Sequence, residues 1–171
     1  MSIKQQYEDV AAQVRKVCIE CGRKPEDVRL CAVSKTVTAE RVQEAIDAGA
    51  ADFGENRPEQ IMEKQGRYPQ VNWHFIGNVQ SRRIKDIVAC ASLIHSIYKV
   101  EHLAKVDSAA AAIGKVQDIL IELNVSGEQS KGGITADELP GMLREAAAFS
   151  HLRVKGLMTM APQGDLETAR A

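Results

Sequence analysis

Arg29-Leu-Cys-Ala-Val-Ser-Lys-Thr-Val37 is the stretch from which the fold is read. Leu30 to Val33 is a short apolar run of the kind that forms a strand buried on both faces of a parallel sheet. Lys35 follows at its carboxyl end, the edge where parallel α/β folds gather their chemistry. A free lysine of pKa ~10.4 is neutral only about 0.04% of the time at pH 7. A cramped apolar site lowers that pKa and makes the amine a nucleophile towards aldehydes. A strand-end lysine that simply reaches water is the commoner case, so this strand by itself leaves the role open.

Upstream, Ile3, Tyr7, Val10, Val14 and Val17 recur at steps of four and three, which predicts an amphipathic helix over 2–21, stopped by Gly22 and Pro25. Downstream, Thr38 caps a helix whose apolar stripe is Val42, Ala45 and Ile46, and Gly49 closes it. A short strand over 51–54 leads to Glu55-Asn-Arg57 and to Pro58, which suits a first helical turn. Further strands are predicted over 72–77, 93–97, 118–125 and 154–160, with helices over 79–91 and 99–113 between them. The loop 126–133 precedes Thr135, whose Glu138 completes a T-x-x-E capping box for a helix burying Leu139, Met142, Leu143 and Ala146. Residues 165–171 read as the start of one more helix.

Strands alternating with helices require a parallel sheet with right-handed crossovers. An open doubly wound sheet and a (β/α)8 barrel of the TIM type both satisfy that pattern. A complete barrel takes about 250 residues. At 171 residues, with its last residues inside a helical pattern, the chain is read as a single barrel domain over 1–171, incomplete, with about six of eight βα units. Two strand edges left unpaired would be an aggregation risk and a loss of stability.

The composition, 44% hydrophobic and 26% charged, is ordinary for a soluble globular domain. A net charge of -1 argues against a general nucleic-acid or membrane surface. With 4% aromatic residues, the core is expected to be aliphatic. The amino end has no signal-peptide pattern and no run reaches the length of a transmembrane helix, which predicts a cytoplasmic protein. The cysteines are expected as reduced thiols. Cys18 and Cys21 form a lone C-x-x-C on a helical pattern without the further ligands zinc needs, and Cys31 and Cys90 read as small core residues.

In a barrel the strand ends converge on one mouth. There the sequence places Lys35, Glu55 and Asn56, Gly77 and Asn78, His95 and Ser96, Asn124 with its glycine-rich loop, and Thr159 with Met160. One lysine, amides, small residues and methionines in an apolar bowl suit an aromatic aldehyde better than a metal, and no metal-ligand motif occurs. His74 reads as a hydrogen-bonded structural histidine, His95 is open to either role, and His102 and His151 read as surface residues. Arg82-Arg-Ile-Lys85 is explained as well by a solvated helix face as by anion binding, and Gly132-Gly133 is better read as a turn than as a phosphate cradle.

Five short motifs then appear in order: Ala32-Val-Ser-Lys-Thr36; Phe53-Gly-Glu-Asn-Arg57; His74-Phe-Ile-Gly77 with Gln80-Ser-Arg82; Asn124-Val-Ser-Gly-Glu128 with Ser130-Lys-Gly-Gly133; and Gly156-Leu-Met-Thr-Met-Ala-Pro162. Together they resemble the YggS/PROSC pyridoxal-phosphate homeostasis family over nearly the whole chain. The resemblance implies a barrel like the N-terminal domain of alanine racemase, with pyridoxal 5'-phosphate (PLP) held as a Schiff base on Lys35. It places Asn56 beside the pyridine ring, Ile76 and Met160 as ring-packing contacts, and Lys131 near the mouth in a transfer role. Members of that family continue with a Ser-Met-Gly-Met-Ser type loop and an Arg-Ile-Gly segment that grip the phosphate and the ring nitrogen. Neither occurs here, so weak cofactor binding is expected.

Two functions follow from the resemblance. The first is a non-catalytic cytosolic carrier and buffer of PLP, with PLP-dependent apo-enzymes as recipients, no catalytic residues and a monomeric state. An arginine at the ring nitrogen, as in that family, makes the cofactor a poor electron sink. The alternative is a PLP-dependent enzyme such as an amino-acid racemase. It needs a second acid/base group, and Tyr7, Tyr68 and Tyr98 are expected on or at the ends of helices, away from the mouth. A cofactor-free Schiff-base aldolase ranks last.

Overall fold

The computed structural model describes residues 2–125, 127 and 132–161. Its elements in chain order are α1 (Ile3–Glu20), β1 (Cys31–Val33), α2 (Ala39–Asp47), β2 (Asp52–Glu55), α3 (Pro58–Gln65) and β3 (Asn72–Phe75). These are followed by α4 (Ile84–Cys90), β4 (Leu93–Ile97), α5 (Val100–Ala112), β5 (Gln117–Leu123), α6 (Leu139–Ala146) and β6 (Leu152–Thr159). The helix expected over 165–171 lies outside the described residues.

The six strands are all parallel and pair in the order of the chain, β1-β2-β3-β4-β5-β6. A doubly wound sheet reverses its strand order at a switch point. Here each crossover moves one strand further in the same direction, as a barrel requires. Successive helices pack on one another, α1 on α2, α3 on α4, α4 on α5 and α5 on α6, as one outer layer.

The core lies between that layer and the outer face of the sheet. Phe53, Trp73 and Phe75 are among its largest fully buried side chains, beside Ile61, Ile87, Ile94, Leu103, Ile119 and Ile121. The expected aliphatic core is therefore corrected at one point. The few aromatic residues are concentrated under α3, where the rings of Phe53 and Trp73 lie 5.5 Å apart.

Several local expectations also change. β1 is not buried on both faces. It is an edge strand paired only with β2 among the described residues, and Val33 is 52% exposed. The helix expected over 79–91 is split into a 3-10 turn, Ser81–Arg83, and α4. Glu138 does accept from the Thr135 N–H and hydroxyl, each at 2.8 Å, but residues 136–138 form a turn. The helix begins at Leu139 with Pro140 in its first turn, and Leu143 turns outward. His102, expected at the surface, is 1% exposed on α5. No helix among the described residues is long and apolar enough to cross a membrane.

Candidate functional site

Strand alternation sorts the site residues onto two faces. Ser34 and Glu55 point to the outer face, where Lys64 of α3 meets them. Gly54 lies on the inner face, and a Cβ there would touch the Ile76 Cδ1 at 2.9 Å and the Cys31 Sγ at 3.4 Å. Ile76 thus lies over Gly54 at the top of the inner face, one layer above His74.

At the carboxyl ends of β3 to β6, Ile76, Gly77, Asn78, Tyr98, Glu122, Gly132, Met158 and Met160 line a cavity of about 510 Å³. Its shape depends on two glycines. A Cβ at Gly77 would lie 2.3 Å from the Asn56 carbonyl oxygen, so the ends of β2 and β3 touch backbone to backbone. Gly133 has φ 111°, and a Cβ there would meet the Asn124 nitrogen at 2.6 Å. The Tyr98 hydroxyl donates to the Asn78 Oδ1 at 3.2 Å. Burial raises the pKa of Glu122, and its carboxyl has no hydrogen-bond partner among the described residues.

Of the residues expected to form a cofactor site, Ile76 and Met160 line this cavity together, and Met160 is 62% exposed. Asn56 lines the neighbouring recess with Arg57, Gln80, Arg82 and Arg83, and Asn78 belongs to both hollows. Lys35 lines neither. It follows β1 in a turn closed by the Val37 N–H donating to the Ser34 carbonyl at 3.1 Å, and it is exposed. The cramped apolar setting expected for its amine is not supplied by the described residues, because β1 is an edge strand whose inner-face Val33, next to that turn, is 52% exposed. Lys131 lies outside the described residues.

What is fixed at Lys35 is its backbone. The Gln60 amide donates to the Lys35 carbonyl at 2.8 Å. One turn further along α3, the Lys64 ammonium donates to the Ser34 carbonyl at 2.8 Å and to the Glu55 Oε1 at 2.5 Å. The Ser34 hydroxyl donates to that same carboxylate oxygen at 2.7 Å. Glu55, expected at the mouth, instead points into the helix layer, 0% exposed against a 12% exposed Lys64. Gln60 and Lys64 were not singled out in the sequence, although their i, i+4 spacing puts them on one face of a helix.

Below the mouth, the inner face carries a polar chain. The His74 Nε2 is 3.1 Å from the Asp52 Oδ1, and its Nδ1 is 2.9 Å from the His95 Nε2. A carboxylate only accepts, so His74 donates through Nε2 and its Nδ1 accepts from the His95 Nε2–H. Burial pushes the His95 pKa down to about 4, with His74 adding to the effect, and burial also lowers His74. His74 is thus the hydrogen-bonded structural residue expected, and His95 joins it.

Tyr98 is a correction. It directly follows β4 and forms part of the mouth, since no helix intervenes before Val100. Burial raises the Cys31 and Cys90 thiols to about 11, which leaves both as poor nucleophiles at neutral pH. Among the described residues no group of His, Cys, Asp and Glu is arranged to hold a metal ion.

The family described as alanine racemase, N-terminal domain, matches residues 7–171. A pyridoxal phosphate homeostasis protein of Pseudomonas aeruginosa is 34% identical over 170 residues, covering 98% of this chain and 74% of that one. Similar solved structures include the following two. A protein of unknown identity from Bifidobacterium adolescentis has a TM-score of 0.89 at 26% identity, covering 97% of this chain and 72% of that one. PipY of Synechococcus elongatus PCC7942 with PLP bound has a TM-score of 0.77 at 26% identity, covering 92% of this chain and 74% of that one.

Proposed function

This chain belongs to the alanine racemase N-terminal-domain family and to the pyridoxal phosphate homeostasis proteins, and on that premise we propose that it binds PLP at its barrel mouth as a non-catalytic carrier and buffer, with the Lys35 amine as the point of attachment. The observation that carries this reading is the mouth cavity, walled by Ile76, Met158 and Met160 in a fold that superposes on a PLP-bound relative.

The residues present fit the ring of that cofactor. Ile76, Met158 and Met160 offer apolar surface to an aromatic face, and Gly77 keeps the wall free of a side chain where Asn56 crosses. Asn78 and Tyr98 provide neutral polar groups in its lining, and Asn56 lies in the recess beside it. The described lining carries no lysine or arginine, so it offers no counter-charge to the phosphate. Burial favours the neutral form of Glu122, which lessens its repulsion of an anion. When bound, PLP supplies an aldehyde that condenses with a neutral amine, and an electron-poor ring. Apo-enzymes that need PLP are the proposed recipients, and a cytoplasmic monomer is the proposed form.

The test is direct. The protein is incubated with PLP, reduced with borohydride and mapped by mass spectrometry. An adduct on Lys35, lost in Lys35→Ala, with no amino acid turned over, is the expected result. An adduct confined to other lysines overturns the assignment. One observation favours the racemase reading: Tyr98 lies at the mouth. Loss of α-deuterium from labelled alanine, abolished by Tyr98→Phe, would replace the carrier with an enzyme.

A further inference from the structure

We propose that Gln60, Lys64 and Glu55 form a positioning device for Lys35, a clamp built on α3 that holds the backbone on both sides of the reactive amine. This rests on the reading of Lys35 as the attachment point, and it assigns roles to residues that do not touch the cofactor.

A lysine at a strand end has a four-carbon stem and many rotamers, so the direction of its Cα–Cβ bond decides which volume its amine can search. β1 is a three-residue edge strand, and its ladder ends where the Ser34 N–H donates to the Gly54 carbonyl at 3.1 Å. Beyond that point the sheet no longer holds the chain. Instead, the next two carbonyls, of Ser34 and Lys35, accept from the Lys64 ammonium and the Gln60 amide, each at 2.8 Å. Two consecutive peptide units are therefore held from one helix face.

Glu55 supplies the cation's other anchor. It ends β2, is fully buried, and accepts from both Lys64 and Ser34 through Oε1. A buried ion pair contributes little net stability over an apolar pair of the same volume, so geometry is the better reason to have one. This pair ties the end of β2 to the end of β1 through α3, and the other Glu55 oxygen, Oε2, is buried without a partner among the described residues. The cost of that unsatisfied oxygen is consistent with a cluster kept for position.

The experiment compares two reactions of the same amine, borohydride trapping of PLP at Lys35 and methylation of Lys35 by formaldehyde with cyanoborohydride as reductant in the PLP-free protein. Gln60→Glu removes one donor with little change of shape at a partly exposed site and is expected to fold. Lys64→Met leaves Glu55 buried and unpaired, so it is read only if it folds, and Lys64→Arg restores a cationic donor. In Gln60→Glu the rate of PLP trapping at Lys35 is expected to fall about threefold to tenfold. Methylation of Lys35, which needs no orientation, stays at the wild-type rate, and Lys64→Arg traps PLP faster than Lys64→Met.

Equal PLP trapping in wild type and Gln60→Glu overturns the clamp. So does an equal fall in both reactions, which would report a general loss of structure. If wild type itself traps no PLP at Lys35, the attachment reading fails, and that outcome is distinct from either of these.

Discussion

At the scale of single residues, the site depends on groups that are small or absent. Gly77 is the clearest case, because the position its Cβ would occupy is taken by the Asn56 carbonyl group, with the oxygen 2.3 Å and the Cα 2.9 Å away. The obstruction is backbone, which cannot swing aside as a side chain tip would. Gly77→Ala must therefore push the end of β2 away from the end of β3. It is expected to destabilise the fold by about 1–3 kcal/mol and to lower PLP trapping at Lys35 by displacing Asn56. Urea unfolding with the borohydride adduct as second readout checks both. Wild-type stability would show that the two strand ends separate freely. Glu55 shows the same dependence on orientation: one residue away from Asn56 in sequence, it faces the opposite side of the sheet and belongs to the helix layer.

At the scale of elements, α6 shows what a cap does when the helix starts late. Glu138 accepts from the Thr135 N–H and hydroxyl, and this bond lowers its pKa. Glu138→Ala removes both bonds to Thr135 and is expected to lower the urea midpoint; no change would mean the turn over 135–138 holds without it. Elements of this kind were legible in the sequence because apolar spacing and punctuating Gly and Pro are local signals. The strands after β1, Pro58 opening α3 and Gly49 closing α2 all followed from them. Strand order was not local: chain length favoured the barrel over the doubly wound sheet, and the pairing then decided it. The site was legible in part, for the same reason. Lys35, Asn56 and Met160 stood out as strand-end residues and Ile76 came from the resemblance, but the exposure of Lys35 depends on what covers an edge strand. Gln60 and Lys64 looked like ordinary polar residues of a surface helix until α3 was seen against the turn after β1. Tyr98 was expected at a helix end and therefore away from the mouth, but the residue between β4 and α5 is at both.

At the scale of the whole molecule, the inner face of the sheet carries a pH dependence. His95 is held to a pKa of about 4 and His74 is also lowered, both chiefly by burial. In the unfolded chain both return to about 6.5. Between those values the unfolded state binds more protons than the folded one, so stability rises with pH there. The contribution is fully present above pH 6.5 and is lost as pH falls towards 4. After allowing for screening at a half-buried ring, His95 accounts for about 1–2 kcal/mol of it. Glu122, raised by burial, works in the opposite sense near the acid end of the window, so the raw slope understates the histidine part. A subtraction isolates it. In His95→Gln the side-chain amide can still donate to the His74 Nδ1 and carries no titrating group. That variant is expected to keep more of its stability between pH 7 and pH 4.5 than the wild type does, in urea unfolding at matched ionic strength. Parallel loss in the two proteins would place the acid sensitivity outside His95. The carboxylates of Glu40, Glu59 and Glu138 are held low by local hydrogen bonds. Their contribution, like that of Glu122, is common to the two proteins and cancels in the comparison.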